Sequence, residues 1–183
     1  MTHPLDKFCF CPSCGSPRFE VNDFKSKRCL SCGFTYYANP CSATAAFIRN
    51  GRGELLVAVR GKDPARGTLD LPGGFVDMGE TVEEGMMREI REETALEGGT
   101  PRYLFSIPNR YLYSGMVIHT LDMFFEVNVA DDAEPRADDD AAALQWMPLA
   151  SIDPADFGLQ SISEGVRRYL KSGSEEGRWR FQG

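Results

Sequence analysis

The chain has 183 residues, 42% of them hydrophobic and 26% charged, which suits one ordinary domain with a small appendage and excludes a disordered, collagen-like or coiled-coil protein. Its formal net charge of −7 is uneven, because residues 1–66 carry ten Lys/Arg against five Asp/Glu and residues 67–183 carry ten against twenty-two. The excess of negative charge in residues 67–183 argues against unaided nonspecific binding to nucleic acid. No stretch approaches the roughly 20 apolar residues of a membrane span and the first ten residues lack a signal-peptide pattern, so we expect a cytoplasmic protein with no membrane partner.

All six cysteines lie within the first 41 residues, and four of them form two CxxC pairs. The pairs are fourteen residues apart and each is followed at once by glycine: Cys11 with Cys14, and Cys29 with Cys32. This spacing is typical of a zinc ribbon, and four thiolates leave no open coordination position, so we predict structural Zn²⁺. Disulfides are disfavoured because no export signal is evident. Of the other two, Cys9 could compete with Cys11 for the metal, and Cys41 is expected to be a small core residue.

The predicted ribbon also carries positive charge. Lys25, Lys27 and Arg28 lie beside Phe24, a mixture that could contact nucleic acid or simply keep a small surface hairpin soluble. We favour the second interpretation, so nucleic acid is an alternative partner and not the expected one.

The main domain is predicted to alternate strands and helices. An Asn50-Gly51 turn joins its first two strands, and Thr81 with Glu84 forms a capping box at the start of its first helix. The predicted elements in chain order are a connection at 35–40, strands at 42–48 and 54–60, a loop at 69–79, a helix at 81–94, strands at 103–108 and 116–129, an acidic loop at 131–140, a strand at 144–147 and a helix at 159–170.

The first helix carries glutamates on its apolar side. At 100° per residue, Val82, Met86 and Ile90 define the buried side, and Glu93 and Glu89 then lie at about 20° and 340°, with Glu92 flanking at about 280°. Ionised carboxylates beside a core cost several kcal/mol each unless they are partnered. Arg88 cannot satisfy these three together with Glu80, so a divalent cation such as Mg²⁺ or Mn²⁺ is favoured over a solvated acidic face.

Five residues separate Gly74 from Glu80, and seven separate Glu80 from the run R-E-I-R-E-E-T-A-L that begins at Arg88. This pattern resembles the Nudix box, the loop–helix–loop that hydrolyses nucleoside diphosphates linked to another group. The resemblance implies a Nudix-type α/β/α sandwich with a mixed sheet, preceded here by the small zinc ribbon. The pattern departs once, because Ala95 replaces the family's glycine; if that residue is left-handed, alanine costs about 1 kcal/mol but removes no ligand.

The resemblance also implies residue roles. Glu89, Glu92 and Glu93 match the metal-holding glutamates, and Glu80 and Arg88 match the residues that support them by ionic contacts. A further acidic ligand often precedes a strand tryptophan in the family, and Asp140, six residues before Trp146, matches it, with Asp138 and Asp139 as alternates. The general base varies within the family and stays unassigned.

A zinc ribbon directly before a Nudix domain resembles the NADH pyrophosphatase group. The nicotinamide-specific members carry S-Q-P-W-P-F-P-x-S after the box, and the segment from Ser106 to Ser114 agrees with it at only four positions. Within that segment Tyr111 and Tyr113 could stack on a base or be core residues, and Arg110 could contact a phosphate or ribose. Relatives place the ribbon in a dimer interface, so the resemblance also allows a homodimer.

The sequence therefore predicts a metal-dependent hydrolase that cleaves the pyrophosphate linkage of a nucleotide such as NADH, ADP-ribose or a related dinucleotide. The alternative is a nucleotide-sensing regulator or RNA-binding module that retains the Nudix fold, favoured by Ala95 and the basic ribbon. The predicted boundaries are a ribbon at 1–37, a hydrolase domain at 38–171 and a loose tail at 172–183.

Overall fold

A computed structural model of the chain describes residues 3–137 and 141–176, which divide between two compact units. The N-terminal unit contains the chain up to Cys41 together with Arg110–Thr120, and the main unit contains Ser42–Asn109 and the chain from Leu121 onward. Within the described ranges, no helix has the length and apolar character needed to cross a membrane. The boundaries placed at residues 37 and 171 from the sequence stay predictions.

The N-terminal unit contains a three-stranded antiparallel sheet. Its strands are β1 (Phe19–Asp23), β2 (Ser26–Cys29) and β3 (Thr35–Tyr37). The prediction of a connection at 35–40 was wrong for residues 35–37, because threonine and tyrosine favour strands and Tyr36 pairs with Lys27 across the sheet. Its hydrophobic cluster has three buried residues, Cys11, Phe19 and Cys29, with Phe8 packed against them, and Leu5 is also buried. So small a core requires a further source of stability.

The main unit is built on a six-stranded mixed sheet. Its strands are β4 (Cys41–Arg49), β5 (Glu54–Arg60), β6 (Leu69–Asp70), β7 (Arg102–Tyr113), β8 (Met116–Asn128) and β9 (Ala141–Pro148). The order across the sheet is β6-β5-β4-β8-β7, and β9 pairs antiparallel with β5. The tip of the hairpin formed by β7 and β8 is the part that belongs to the N-terminal unit.

Two elements extend five or six residues beyond their predicted ends. Strand β7 does not end at Pro108 but continues to Tyr113, because β7 lies at the end of the strand order, where a residue without an N–H group is tolerated. The last helix, α2 (Gln160–Glu176), continues six residues beyond its predicted end, so residues 172–176 are helical.

Helices α1 (Val82–Thr94) and α2 pack on different clusters of the sheet. Alternate residues of β4 belong to different clusters, because successive side chains of a strand point to opposite faces. Ala46 and Ile48 pack in one cluster with Met86 and Ile90 of α1. Ala45 and Phe47 belong to the other cluster, with Val166 and Tyr169 of α2. The fold is therefore the predicted α/β/α sandwich with a mixed sheet.

Both ends of α1 are capped. The predicted capping box is confirmed, since the Thr81 side chain accepts a hydrogen bond from the Glu84 N–H group and the Glu84 side chain accepts one from the Thr81 N–H group. At the other end Ala95 has φ 56°, in the left-handed region, and donates its N–H group to the Arg91 carbonyl. The condition stated from the sequence is therefore met, and a residue with a Cβ atom is strained there.

Ala95→Gly should therefore stabilise the protein by about 1 kcal/mol, because glycine adopts the left-handed conformation without a Cβ clash. The measurement is the free energy of unfolding from urea denaturation. Ala143→Gly is the matched control: Ala143 is exposed on β9 and has no positive φ, so glycine should cost about 0.5–1 kcal/mol there. A loss of stability in both variants would contradict the prediction.

Candidate functional site

Arg88 lies at the centre of a group of carboxylates on the C-terminal half of α1 and the loop before the helix. Its Nε donates to Glu80 Oε1 at 2.8 Å, and its Nη1 donates to Glu89 Oε1 at 2.8 Å and to Glu92 Oε2 at 3.0 Å. Its Nη2 donates to the Phe75 carbonyl at 3.0 Å and to a second oxygen of Glu80 at 3.1 Å. One guanidinium thus contacts three carboxylates and fixes the loop to the helix.

The carboxylates around Arg88 are in different electrostatic environments. Hydrogen bonds from Arg88 hold the pKa of Glu80 below its ordinary value. Burial raises the pKa of Glu89, although Arg88 opposes that rise. The Glu89 side chain is only 15% exposed, and it lies so close to Gly74 that a Cβ atom there would fall 2.6 Å from Glu89 Oε1. Gly74 therefore provides the space that Glu89 occupies.

Glu93 is held by the backbone of the loop. The Gly73 N–H group donates to Glu93 Oε2 at 2.8 Å. Gly73 has φ 147°, and a Cβ atom at this position would lie 2.2 Å from the Thr44 carbonyl oxygen. Only glycine fits so close to β4 in this conformation, so the residue that orients Glu93 cannot be replaced without moving the loop.

The glutamates offer hard oxygen ligands of the kind that Mg²⁺ and Mn²⁺ prefer. They differ in exposure, since the side chain of Glu92 is 60% exposed. Their oxygens surround Arg88, and no three of these glutamates place an oxygen within 4.8 Å of one another. In the described ranges, only four cysteine thiols form a group of potential ligands that close. Asp140 and its alternates Asp138 and Asp139 lie outside the described residues.

The four thiols belong to Cys11, Cys14, Cys29 and Cys32. Two of the sulfur–sulfur distances, Cys11 to Cys32 and Cys14 to Cys29, are 3.7 Å. Four sulfurs placed at about 2.3 Å around a tetrahedral zinc ion would lie about 3.8 Å apart, so the spacing fits that ion.

Backbone geometry supports the same fit. Gly15 and Gly33 donate their N–H groups to the carbonyls of Cys11 and Cys29, which closes the turn that brings each CxxC pair together. Burial raises the pKa of Cys29, but the N–H groups of Cys32 and Ser31 outweigh burial and bring that pKa below its ordinary value. The Ser16 N–H group lowers the pKa of Cys14, but hydrogen bonds with the neighbouring thiols raise it overall, so of the two Cys29 is the thiol that ionises first.

The two remaining cysteines lie outside this cluster. Cys9 and Cys41 are both exposed. The expectation that Cys41 is a core residue was wrong, because it occupies the exposed first position of β4, before the buried part of that strand begins.

Arg110, Tyr111 and Tyr113 belong to the N-terminal unit, whereas Glu80, Arg88 and the helix glutamates belong to the main unit. The two tyrosines alternate along β7 and stack on each other, with ring centroids 6.3 Å apart and planes inclined by 21°. Tyr113 is 58% exposed and Tyr111 is half-buried, so neither ring is fully buried in a core. Their predicted role in binding a base stays a prediction.

Sequence reasoning missed the contact between Gly73 and Glu93. The sequence predicts only a loop for the run Leu-Pro-Gly-Gly at 71–74. In the structure, the carbonyls of Pro72 and Gly74 accept hydrogen bonds from β4. The Pro-Gly-Gly signal was visible, but a backbone N–H donor has no side chain by which a sequence could identify its partner.

The chain is similar in sequence to known proteins. The NUDIX domain profile matches residues 39–168. An ADP-ribose pyrophosphatase from Methanocaldococcus jannaschii is 32% identical over 175 residues, which cover 90% of this chain and 98% of that protein. The NAD-capped RNA hydrolase NudC from Haemophilus influenzae is 33% identical over 119 residues, covering 64% of this chain. The chain spans only 45% of the length of that second relative.

A solved structure agrees at the level of the fold. The crystal structure of a NUDIX hydrolase from Nitrosomonas europaea superimposes with a TM-score of 0.70 at 22% identity. The superposition covers 91% of this chain and 93% of that one. At this identity the likeness shows a shared fold and nothing finer.

The contacts of Arg88 predict a clear effect on stability. Arg88→Gln should lower the free energy of unfolding by at least about 2 kcal/mol, because Glu80 and Glu89 lose their charged partner while staying partly buried. The measurement is urea denaturation without added divalent cation. Arg91→Gln, on the exposed side of the same helix, should change the value by no more than about 0.5 kcal/mol. Equal losses in both variants would show that Arg88 does not organise the site.

Proposed function

We propose ADP-ribose as the substrate of this chain, which belongs to the Nudix family and is a Nudix pyrophosphohydrolase. The chain cleaves the pyrophosphate linkage of a nucleoside diphosphate derivative, and it does so with a divalent metal such as Mg²⁺ or Mn²⁺. The observation that carries the proposal is the gathering of Glu80, Glu89 and Glu92 around Arg88, with Glu93 oriented by the loop backbone.

The choice of ADP-ribose rests on the range of the similarity. The relative called an ADP-ribose pyrophosphatase is matched over nearly its whole length, whereas the NAD-capped RNA hydrolase is matched over less than half. The segment from Ser106 to Ser114 also shares only four positions with the pattern of nicotinamide-specific members. NADH and related dinucleotides are therefore the second choice, and RNA and a second copy of the chain stay predicted alternatives as partners.

In the proposed site Glu89, Glu92 and Glu93 hold the catalytic metal, with Asp140 as a further predicted ligand. A bound divalent ion supplies charge neutralisation at the phosphoryl oxygens and an activated water. Arg88 and Glu80 are positioning residues, because their ion pair fixes the loop against the helix and Arg88 also contacts Glu89 and Glu92. Gly73 sets the orientation of Glu93 through its N–H group. Arg110, Tyr111 and Tyr113 remain the proposed substrate-binding residues.

We also propose that Cys11, Cys14, Cys29 and Cys32 bind one structural Zn²⁺ ion. Four thiolates fill the tetrahedral coordination of zinc, so the ion has no open position for catalysis. The small hydrophobic cluster of the N-terminal unit supports a stabilising role, because metal binding can supply the folding energy that a small core lacks.

The enzyme proposal is tested with purified protein, Mg²⁺ or Mn²⁺, and a panel of ADP-ribose, NADH, NAD⁺ and nucleoside triphosphates. Release of AMP from ADP-ribose, followed by chromatography, is the expected result. Glu93→Gln should lower kcat by at least about a hundredfold, since a metal ligand contributes several kcal/mol to the transition state. Glu83→Gln, an exposed glutamate in the first turn of the same helix, should leave kcat unchanged. Tight ADP-ribose binding without turnover would favour the sensor alternative, and full activity in Glu93→Gln would refute the site.

The zinc proposal is tested by elemental analysis of freshly purified protein. One zinc ion per chain is expected in the native protein and in Cys9→Ser, whose thiol is exposed and outside the cluster. Cys14→Ser should lose the ion, and chelation should raise the protease sensitivity of the N-terminal unit. Zinc-free native protein, or zinc retained in full by Cys14→Ser, would overturn the assignment.

A further inference from the structure

A buried ion pair lies at the start of the segment that leads into the site. Arg60 ends β5 and Asp70 ends β6, and Arg60 Nη1 contacts Asp70 Oδ2. Both side chains are largely buried, with 17% of Arg60 and 14% of Asp70 exposed. Arg60 Nε also donates to the Pro64 carbonyl at 2.8 Å, and Asp70 Oδ1 accepts the Leu71 N–H group at 2.9 Å. The pair therefore holds both the loop before β6 and the first residue after it.

From Asp70 the chain runs along β4 as an irregular extra strand. The Pro72 carbonyl accepts from the Ala46 N–H group and the Gly74 carbonyl from the Thr44 N–H group, each at 2.8 Å. Because alternate residues of an extended segment point in opposite directions, the N–H group of Gly73 points away from β4. It is this N–H group that donates to Glu93 Oε2.

Strand β6 has only two residues, Leu69 and Asp70, which pair with Val59 and Ala58. So short a ladder holds the entry to the segment weakly, and a one-residue slip along β4 would turn the Gly73 N–H group to the wrong side. The ion pair adds an anchor to the hydrogen bonds with β4, because it fixes the segment at Asp70, three residues before Gly73.

We propose that Arg60 and Asp70 are positioning residues for the metal site: their ion pair sets the placement of residues 71–74, and through the Gly73 N–H group it orients Glu93. The inference rests on the proposed function, in which Glu93 is a metal ligand. Groups that orient metal ligands typically change metal affinity or activity by about 10–100-fold when they are removed. Small displacements remote from the reacting atoms can have effects of that size.

The test compares Asp70→Asn, Arg60→Met and the double variant with the native chain. The measurements are Mn²⁺ affinity of the substrate-free protein by electron paramagnetic resonance titration, kcat and KM for ADP-ribose, and the free energy of unfolding. Each single variant should bind Mn²⁺ at least about tenfold more weakly and lose kcat, with KM changed by less than about twofold. The double variant should be no worse than either single variant, because both remove the same interaction.

Glu126→Gln is the control for a general loss of stability. Its carboxylate is similarly buried in the main unit and accepts hydrogen bonds from Arg102 and Tyr169, which both lie outside residues 70–74. Glu126→Gln should lower the free energy of unfolding and leave Mn²⁺ affinity unchanged. Arg60→Lys, which keeps the charge, should recover most of the Mn²⁺ affinity lost in Arg60→Met, and it serves if Asp70→Asn does not fold.

Unchanged Mn²⁺ affinity in Asp70→Asn and Arg60→Met would overturn the inference, as would an equal loss of affinity in Glu126→Gln. A rise in KM without a loss of Mn²⁺ affinity would also overturn it, because the pair would then contact substrate. Failure of the native chain to hydrolyse ADP-ribose would instead refute the proposed function, and the Mn²⁺ titrations would still decide whether the ion pair orients the site.

Discussion

Repulsion between carboxylates is the constraint that organises this protein. Glu80 of the loop and Glu89 and Glu92 of α1 all contact the guanidinium of Arg88, which is the positive group between them. That arrangement requires a helix docked firmly enough to hold Glu89 at the edge of the core, which Met86 and Ile90 provide by full burial. It also requires a loop with no side chain at Gly74, since any Cβ atom would occupy the space of the Glu89 carboxylate.

The two units obtain their stability in different ways. The main unit buries two hydrophobic clusters, one against α1 and one against α2, and the sheet that separates them positions the loop of the site. The hydrophobic cluster of the N-terminal unit has three buried residues, two of which are cysteines of the thiol cluster. Apolar burial on that scale does not offset the ordering of a unit of this size, so the proposed zinc ion would supply stability that the core lacks.

Features that depend on local periodicity could be predicted from the sequence. The spacing of Met86 and Ile90 gave the buried side of α1, and with it the inward position of Glu89, while Thr81, Glu84 and Ala95 marked the helix ends. Features that depend on topology could not be predicted. Pro108 indicates the end of a strand, but a proline is tolerated in an edge strand, and the sequence does not show that β7 is one. The exposure of Cys41 likewise depends on where the buried part of β4 begins. The donor of the hydrogen bond from Gly73 to Glu93 is a backbone N–H group. Every residue except proline has such a group, so the sequence does not single this one out.

The amide proton of Gly73 is a probe of the contact between the loop and α1. The Gly73 amide is bound by a carboxylate of α1 and not by a neighbouring strand, although the residues on either side of it bond to β4. Its exchange with deuterium therefore requires Glu93 to release it, while the amides of Thr44 and Ala46 can remain protected by the loop carbonyls. The exchange rate at this single position reports how often the helix and the loop separate, independently of how often the sheet opens.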